Sequence, residues 1–158
     1  MEWLAGQRGL IDDFLRRKRI AIVGVSRSDN DFSRAVYDEF RKRGYDAVPV
    51  NPHAARIGDA IAFPNVRSIA PAVDAVLIMT DPLVTESVVQ DCRQAGVRRV
   101  WLHKGAGKGA VSDKAVRYCL AHSMNVVYGY CPLMFLPNAH VIHRAHAFCL
   151  RLTGTYPA

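Results

Sequence analysis

Five short apolar runs recur along this chain, and most of them lead into a segment with the spacing of a helix. The runs are "RIAIVG" from residue 19, "YDAVPVNP" from 45, "VDAVLIMT" from 73, "VRRVWLH" from 97 and "NVVYGY" from 125. They are rich in β-branched residues and nearly continuous in hydrophobicity, so both faces of each strand need cover. A half-exposed antiparallel strand would instead alternate apolar and polar residues. Strands of this kind, separated by helices at intervals of about 25 residues, build βαβ units and an open parallel sheet. The fold class expected is therefore α/β, a doubly wound parallel sheet of about five strands.

The intervening segments support that order. A leading helix is expected near residues 7–18, where Leu10, Ile11, Phe14 and Leu15 share a face, with its last turn in the basic run Arg16, Arg17, Lys18 and so favourable to the helix dipole. A second helix, carrying Ala35, Val36 and Phe40, ends before Gly44, with Ser33 as the expected N-cap. Helices are expected over residues 83–95, stopping at Gly96, and over 111–122. A C-terminal helix is expected near 140–152. No repeat, linker or low-complexity tract interrupts residues 1–158, which read as one domain.

Charge and cysteine usage narrow the setting. The net charge of +7 arises from 21 Lys and Arg against 14 Asp and Glu. Aromatics do not interleave with the basic runs, which therefore read as solvated faces rather than a nucleic-acid site, and a polyanionic small ligand accounts for the same excess. No apolar stretch is long enough to span a membrane and the N-terminus lacks a signal pattern, so a cytoplasmic protein is expected. Cys92, Cys119, Cys131 and Cys149 form no CxxC pair and are expected as reduced thiols.

In an open α/β sheet a ligand binds beyond the carboxyl ends of the strands, where strand order reverses. The loop after the first strand can be tested against the dinucleotide fingerprint G-x-G-x-x-G. Only Gly24 is present; Ser26 takes the second glycine position and Asp29 the third. A helix N-terminus near Phe32 and Ser33 still offers N–H groups to a phosphate, with Arg27 and Arg34 to add charge. After the second strand, where an NAD site carries an acidic residue for the ribose hydroxyls, Asn51-Pro52-His53 stands instead. Such an ending suits a phosphorylated ribose, as in NADP or coenzyme A.

The segments "IAIVGVSRS", "RGYDAVPVNP", "FPNVRSIAPAVDAVLIM" and "GVRRVWLHKGAG" resemble, in order and spacing, the stand-alone CoA-binding domain proteins, which are similar to the nucleotide-binding domain of the succinyl-CoA synthetase alpha subunit. The resemblance covers roughly residues 18–131 and implies a Rossmann-like fold and coenzyme A or an acyl-CoA as ligand. It implies contacts from Gly24, Ser26 and Arg27 to the pyrophosphate, from Ser33 and Arg34 at the first helix, and from Asn51 and Pro52 beside the adenosine. Thr80, Asp81 and Pro82 match contacts after the third strand, and Trp101 and Gly105 match a Trp-x-x-x-Gly ending of the fourth. His103 departs from a frequent Gln, and the loop "KGAGKGA", with Lys104 and Lys108, is richer in glycine than the family pattern.

No catalyst emerges. The synthetase reaction draws a phosphorylatable histidine from a second domain, which is not expected within these 158 residues, and no Walker loop or H-E-x-x-H motif is present. His140, His143 and His146 would spread over about 120° of a helix face and read as a face packed on the sheet or on a second copy in a homodimer, rather than as a metal site. Cys131 reads as a small buried hydrophobe. The expected function is an accessory or sensing protein that binds coenzyme A or an acyl-CoA without catalysis of its own. The alternative is an NADP-dependent oxidoreductase or other nucleotide-binding enzyme.

Overall fold

A computed structural model describes residues 2–105, 107–138 and 157. In chain order the elements are α1 (Glu2–Leu15), β1 (Arg19–Val23), α2 (Phe32–Lys42), β2 (Asp46–Val50), β3 (Arg56–Ile57), β4 (Ala60–Ile61), β5 (Ala75–Ile78), α3 (Pro82–Gln94), β6 (Arg99–His103), α4 (Asp113–Ala121) and β7 (Asn125–Tyr130). Five strands form one sheet in the order β2-β1-β5-β6-β7, every neighbouring pair parallel. The fold is thus the α/β Rossmann-like architecture read from the sequence.

The continuous hydrophobicity of the strands has a direct explanation in the two cores. Successive side chains point to opposite faces. Ile20, Ile22, Leu77, Trp101 and Val127 join Ile11 and Phe14 of α1 and Val36, Tyr37 and Phe40 of α2 in one cluster. The residues between them, Ala21, Val23, Val76, Ile78, Val100 and Val126, join Val89 and Cys92 of α3 and Ala115 and Cys119 of α4 in the other. Each strand therefore serves two apolar interiors. Trp101 is fully buried, stands edge-on to Phe14 at 5.3 Å, and donates its indole N–H to the Tyr130 carbonyl at 2.9 Å, so it belongs to the core and not to the ligand edge.

Three features differ from the sequence reading. First, α1 begins earlier than expected and ends at Leu15, so Arg16, Arg17 and Lys18 lie beyond its last turn. Arg17 reaches back to Asp13 at 2.8 Å, and Arg99 binds the same carboxylate at 2.6 Å. Arg17 thus folds back onto α1 instead of extending the helix. Second, Arg56–Ile57 and Ala60–Ile61 pair as a small antiparallel hairpin about Gly58 (φ +57); the sequence shows only an apolar piece near residues 60–64. Third, the edge of β7 is covered by one side chain of α1. The Gln7 amide donates to the Val126 carbonyl at 3.2 Å and accepts from the Tyr128 N–H at 3.4 Å, taking the place of a sixth strand. The expected C-terminal helix, with His140, His143, His146 and Cys149, lies outside the described residues.

Among the described residues no helix is long and apolar enough to cross a membrane. Burial raises the Cys119 and Cys131 thiols to about 11 and pushes Cys92 higher still, so these three are poor nucleophiles at neutral pH.

Candidate functional site

The chain passes from β1 outward to β2 and then returns to the other side of β1 as β5, so strand order reverses between β1 and β5. The loops after Val23 and after Ile78 therefore flank the crevice in which such sheets place ligands. Gly24 sets their separation. It has φ +93, and a Cβ there would stand 3.0 Å from the Met79 carbonyl oxygen and 3.2 Å from Cγ2 of Thr80. Glycine is required both by the backbone conformation and by the approach of the two loops. Its N–H donates to the Val50 carbonyl at 3.0 Å, which ties the third strand end to the same point.

Beyond Gly24 the loop is held by side chains. The Ser26 N–H donates to Ser33 Oγ at 2.9 Å, and Ser26 Oγ accepts from the Ser28 N–H at 3.1 Å. Ser33 is not the N-cap of α2. That place belongs to Asp31, whose carboxylate accepts from the Ser33 N–H at 2.8 Å and from the Ser33 hydroxyl. Two residues with good capping side chains compete here, and the carboxylate wins because Ser33 is turned into the loop to receive Ser26. The signal is present in the sequence: Asp31 directly precedes Phe32, the first residue of the helical run. The consequence is chemical, since a carboxylate already takes one of the helix N–H groups that a phosphate was expected to take.

The two loop arginines are in different situations. The Arg34 side chain is only 14% exposed and forms ion pairs with Asp29 at 2.6 Å and Asp38 at 3.1 Å. A Cβ on Gly58 would lie 3.0 Å from its guanidinium, so Arg34 fills the space beneath the hairpin turn. It clamps the loop, α2 and the hairpin together. Its pairing with Asp38, four residues on, is readable from spacing; the pairing with Asp29 is not. Arg27, by contrast, is exposed and forms no ion pair among the described residues.

At the end of β2, Asn51 is also engaged. Its Nδ2 donates to the Val25 carbonyl at 2.8 Å, and its Oδ1 accepts the His53 N–H at 2.8 Å, which shapes the exposed Pro52 into a turn. Asn51 staples the second strand's end to the first loop and presents the exposed His53 at the rim. No carboxylate side chain stands between β2 and Arg56.

On the far side of the crevice Asp81 caps α3, with Pro82 at the first helical position. Its carboxylate accepts the Leu83 N–H at 3.0 Å and pairs with Lys108 at 3.0 Å, and these two donors hold it below the usual carboxylate range. Thr80 and the buried Thr85 share a hydroxyl hydrogen bond at 2.9 Å. Lys108 sits on the loop after β6, which is closed at its base by the Ala110 N–H to the His103 carbonyl at 2.7 Å. Gly105 follows His103 with room for a Cβ at 3.4 Å from the imidazole, and the His103 ring stands 5.5 Å from that of Phe32. Loops after β1, β5 and β6 are thus linked through named contacts, as is the end of β2. Lys104, exposed and outside any ion pair among the described residues, joins Arg27 as an uncommitted cation on this edge.

An edge of this kind, with a glycine-set crevice and cations but no ribose-binding carboxylate, fits a phosphorylated nucleotide ligand, and sequence comparison agrees. Residues 18–137 match the CoA binding domain family, and the chain belongs to it. Its likeness extends to the acetate–CoA ligase (ADP-forming) II of Archaeoglobus fulgidus, 25% identical over 88 residues; that alignment takes in 54% of this chain and 13% of the ligase. Among solved structures, a hypothetical protein from Pyrococcus horikoshii OT3 is 22% identical with a TM-score of 0.73, over 80% of this chain and 86% of its own. The dinucleotide-forming acetyl-coenzyme A synthetase 1 of Ca. Korarchaeum cryptofilum is 23% identical with a TM-score of 0.60, over 69% of this chain and 25% of its own. These two structures share the fold.

Proposed function

We propose that this protein binds coenzyme A or an acyl-CoA across the carboxyl edge of the sheet, as an accessory or sensing protein without catalysis of its own. The observation that carries the reading is the pairing of the Gly24–Ser26 loop with the Asn51–Pro52 ending, joined by the Asn51 amide on the Val25 carbonyl, in a chain of the CoA binding domain family. The pyrophosphate lies along residues 24–30, met by the Arg27 guanidinium and loop N–H groups, with the adenosine beside Asn51, Pro52 and His53. Thr80, Asp81, Pro82 and Gly105 border the pantetheine arm. Ser33 and Arg34 act indirectly, by fixing the loop. When bound, the coenzyme supplies a thiol; this chain's own residues bind and orient it.

Calorimetric titration with CoA, dephospho-CoA and NADPH tests the proposal. Binding of CoA in the micromolar range, with NADPH weaker by tenfold or more, is the expected result. Absence of CoA binding up to millimolar concentration refutes it, and tighter binding of NADPH favours the oxidoreductase alternative.

A further inference from the structure

The net charge of +7 is unevenly placed. On the carboxyl edge Arg34 and Lys108 are answered by Asp29, Asp38 and Asp81. The opposite end of the sheet is different. All five strands are parallel, so α2, α3 and α4 each return across the sheet and finish beside the strand starts, at its amino edge. Five exposed cations stand there outside any ion pair among the described residues. Arg16 and Lys18 lead into β1, Lys42 ends α2, Arg93 lies in the last turn of α3, and Arg98 leads into β6. Asp13, Glu39 and Asp46 at this end are already held by arginines, which leaves Asp74 as the acid there outside an ion pair among the described residues. A small polyanion on the carboxyl edge does not answer these five charges.

Three of the five have an ordinary explanation, since a cation at a helix C-terminus complements the dipole. Arg16, Lys42 and Arg93 are of that kind. Lys18 and Arg98 precede strands and have no such reason. Backbone bonds fix them in one row: the Asp46 N–H donates to the Lys18 carbonyl at 2.9 Å, the Asp74 N–H to the Arg19 carbonyl at 2.9 Å, and the Asn125 N–H to the Arg98 carbonyl at 2.7 Å. With strands about 4.8 Å apart, the row from β2 to β6 is about 14 Å wide. Its members start parallel strands at one level, so the face is broad rather than grooved. Leu120 is a second, independent observation. It is 63% exposed in the last turn of α4, and its carbonyl accepts the Ser123 N–H at 3.3 Å, two residues before the Asn125 that meets Arg98. The other large apolar side chains exposed among the described residues lie in the first turns of α2 and α3 or on the hairpin.

We propose that the amino edge is a docking surface for an anionic phospholipid membrane, with Lys18 and Arg98 at the centre of its charge and Leu120 entering the headgroup layer. The carboxyl edge then faces away from the lipid, open to its ligand. A broad array of basic side chains with an apolar one beside it matches a flat anionic surface, which needs no pocket. Duplex nucleic acid fits less well, because it takes a helix or a two-stranded ribbon into its groove, whereas this edge presents turns and helix C-termini. A stable protein interface centres on packed aromatic and arginine anchors, and no large aromatic side chain is exposed among these cations. Each cation near an anionic leaflet strengthens binding about fivefold. The surface stands independently of the coenzyme A reading.

Co-sedimentation of the full chain with phosphatidylcholine vesicles, with and without about one third phosphatidylserine, provides the test, after circular dichroism establishes that each variant is folded. The chain should bind only the phosphatidylserine vesicles and should leave them as salt rises from about 0.1 M to about 1 M. Lys18→Gln with Arg98→Gln should weaken binding about 25-fold, and Leu120→Ser about tenfold. Arg56→Gln with Lys114→Gln removes the same charge away from this edge and should change vesicle binding less than about twofold. Absence of binding to phosphatidylserine vesicles at low salt overturns the proposal. Equal losses in the two double variants overturn it as well, since they would report net charge and not a surface. So does duplex DNA, measured by fluorescence anisotropy, if it binds tighter than the vesicles through Lys18 and Arg98.

Discussion

Gly24 and Gly44 offer a paired measurement of how closely the crevice loops must approach. Both have positive φ, +93 and +86, but a Cβ on Gly24 would meet the Met79 carbonyl oxygen at 3.0 Å and its carbon at 3.1 Å, whereas one on Gly44 would meet nothing within 4 Å. Substitution by alanine imposes on both sites the cost of a left-handed L-residue, about 1–2 kcal/mol. Alanine also stiffens the unfolded chain, which offsets about 0.4–1 kcal/mol at either position. Gly44→Ala should thus destabilise by about 1 kcal/mol. Gly24→Ala adds the overpacking of a methyl group against backbone that cannot rotate away, about 1–3 kcal/mol more. With a urea m-value of about 2 kcal/mol/M, the unfolding midpoint of Gly24→Ala should fall about 0.5–1.5 M further than that of Gly44→Ala. Far-UV circular dichroism against urea reads both midpoints. Equal midpoints would refute the claim that the loops after β1 and β5 are held in contact at Gly24, because the dihedral cost is common to the two variants and only the neighbours differ.

Other expectations separate binding from support. Arg27→Ala should weaken CoA binding about tenfold, by loss of one charge-assisted contact, and leave the urea midpoint unchanged; Arg34→Met should lower stability by about 1–2 kcal/mol, more than one surface pair, because both Asp29 and Asp38 lose their partner. The reverse pattern in calorimetry and urea unfolding would show that Arg34, and not Arg27, meets the phosphate. Gln7→Leu removes both bonds to the β7 edge and should cost about 1–3 kcal/mol, with hydrogen exchange speeding at Tyr128; unchanged exchange would mean that α1 does not guard that edge. Arg99 and Arg17 hold the Asp13 carboxyl below its ordinary value of 3.8. A depressed folded pKa adds stability that is fully present above the unfolded pKa and is lost as pH falls through the folded one. Stability should therefore drop as pH falls below about 4, and Asp13→Asn should flatten part of that slope; an identical pH profile in the variant would exclude the contribution.

Much of the candidate site is legible in the sequence because its grammar is local. Gly24, Ser26 and the Asn51–Pro52 ending can be compared with a fingerprint position by position, since each belongs to a turn whose chemistry is set within a few residues. The roles of neighbouring residues are less legible. Ser33 reads as a cap from its type alone, but capping is a competition, and Asp31 wins once Ser26 recruits the Ser33 hydroxyl. Arg34 reads as a ligand for phosphate because it is cationic and near the loop; its charge is already taken by Asp29 and Asp38, and its guanidinium lies against the hairpin turn at Gly58. The hairpin itself escapes sequence reading because its strands are two residues each and carry no periodicity.

The sequence by itself determined the parallel α/β architecture, because strands buried on two faces must be apolar throughout and their period differs from that of helices, and with it the carboxyl edge as the candidate place for a ligand. Only the tertiary structure decided which polar groups remain available there. Asn51 against Val25, Asp81 against Lys108 and Gln7 against β7 join residues separated by 26, 27 and about 120 positions. A side chain has a fixed number of donors and acceptors, so each of these long-range pairs withdraws a group that sequence reading leaves open. Among the described residues, Arg27 and Lys104 are left as exposed cations outside any ion pair on the carboxyl edge by that process of elimination in space.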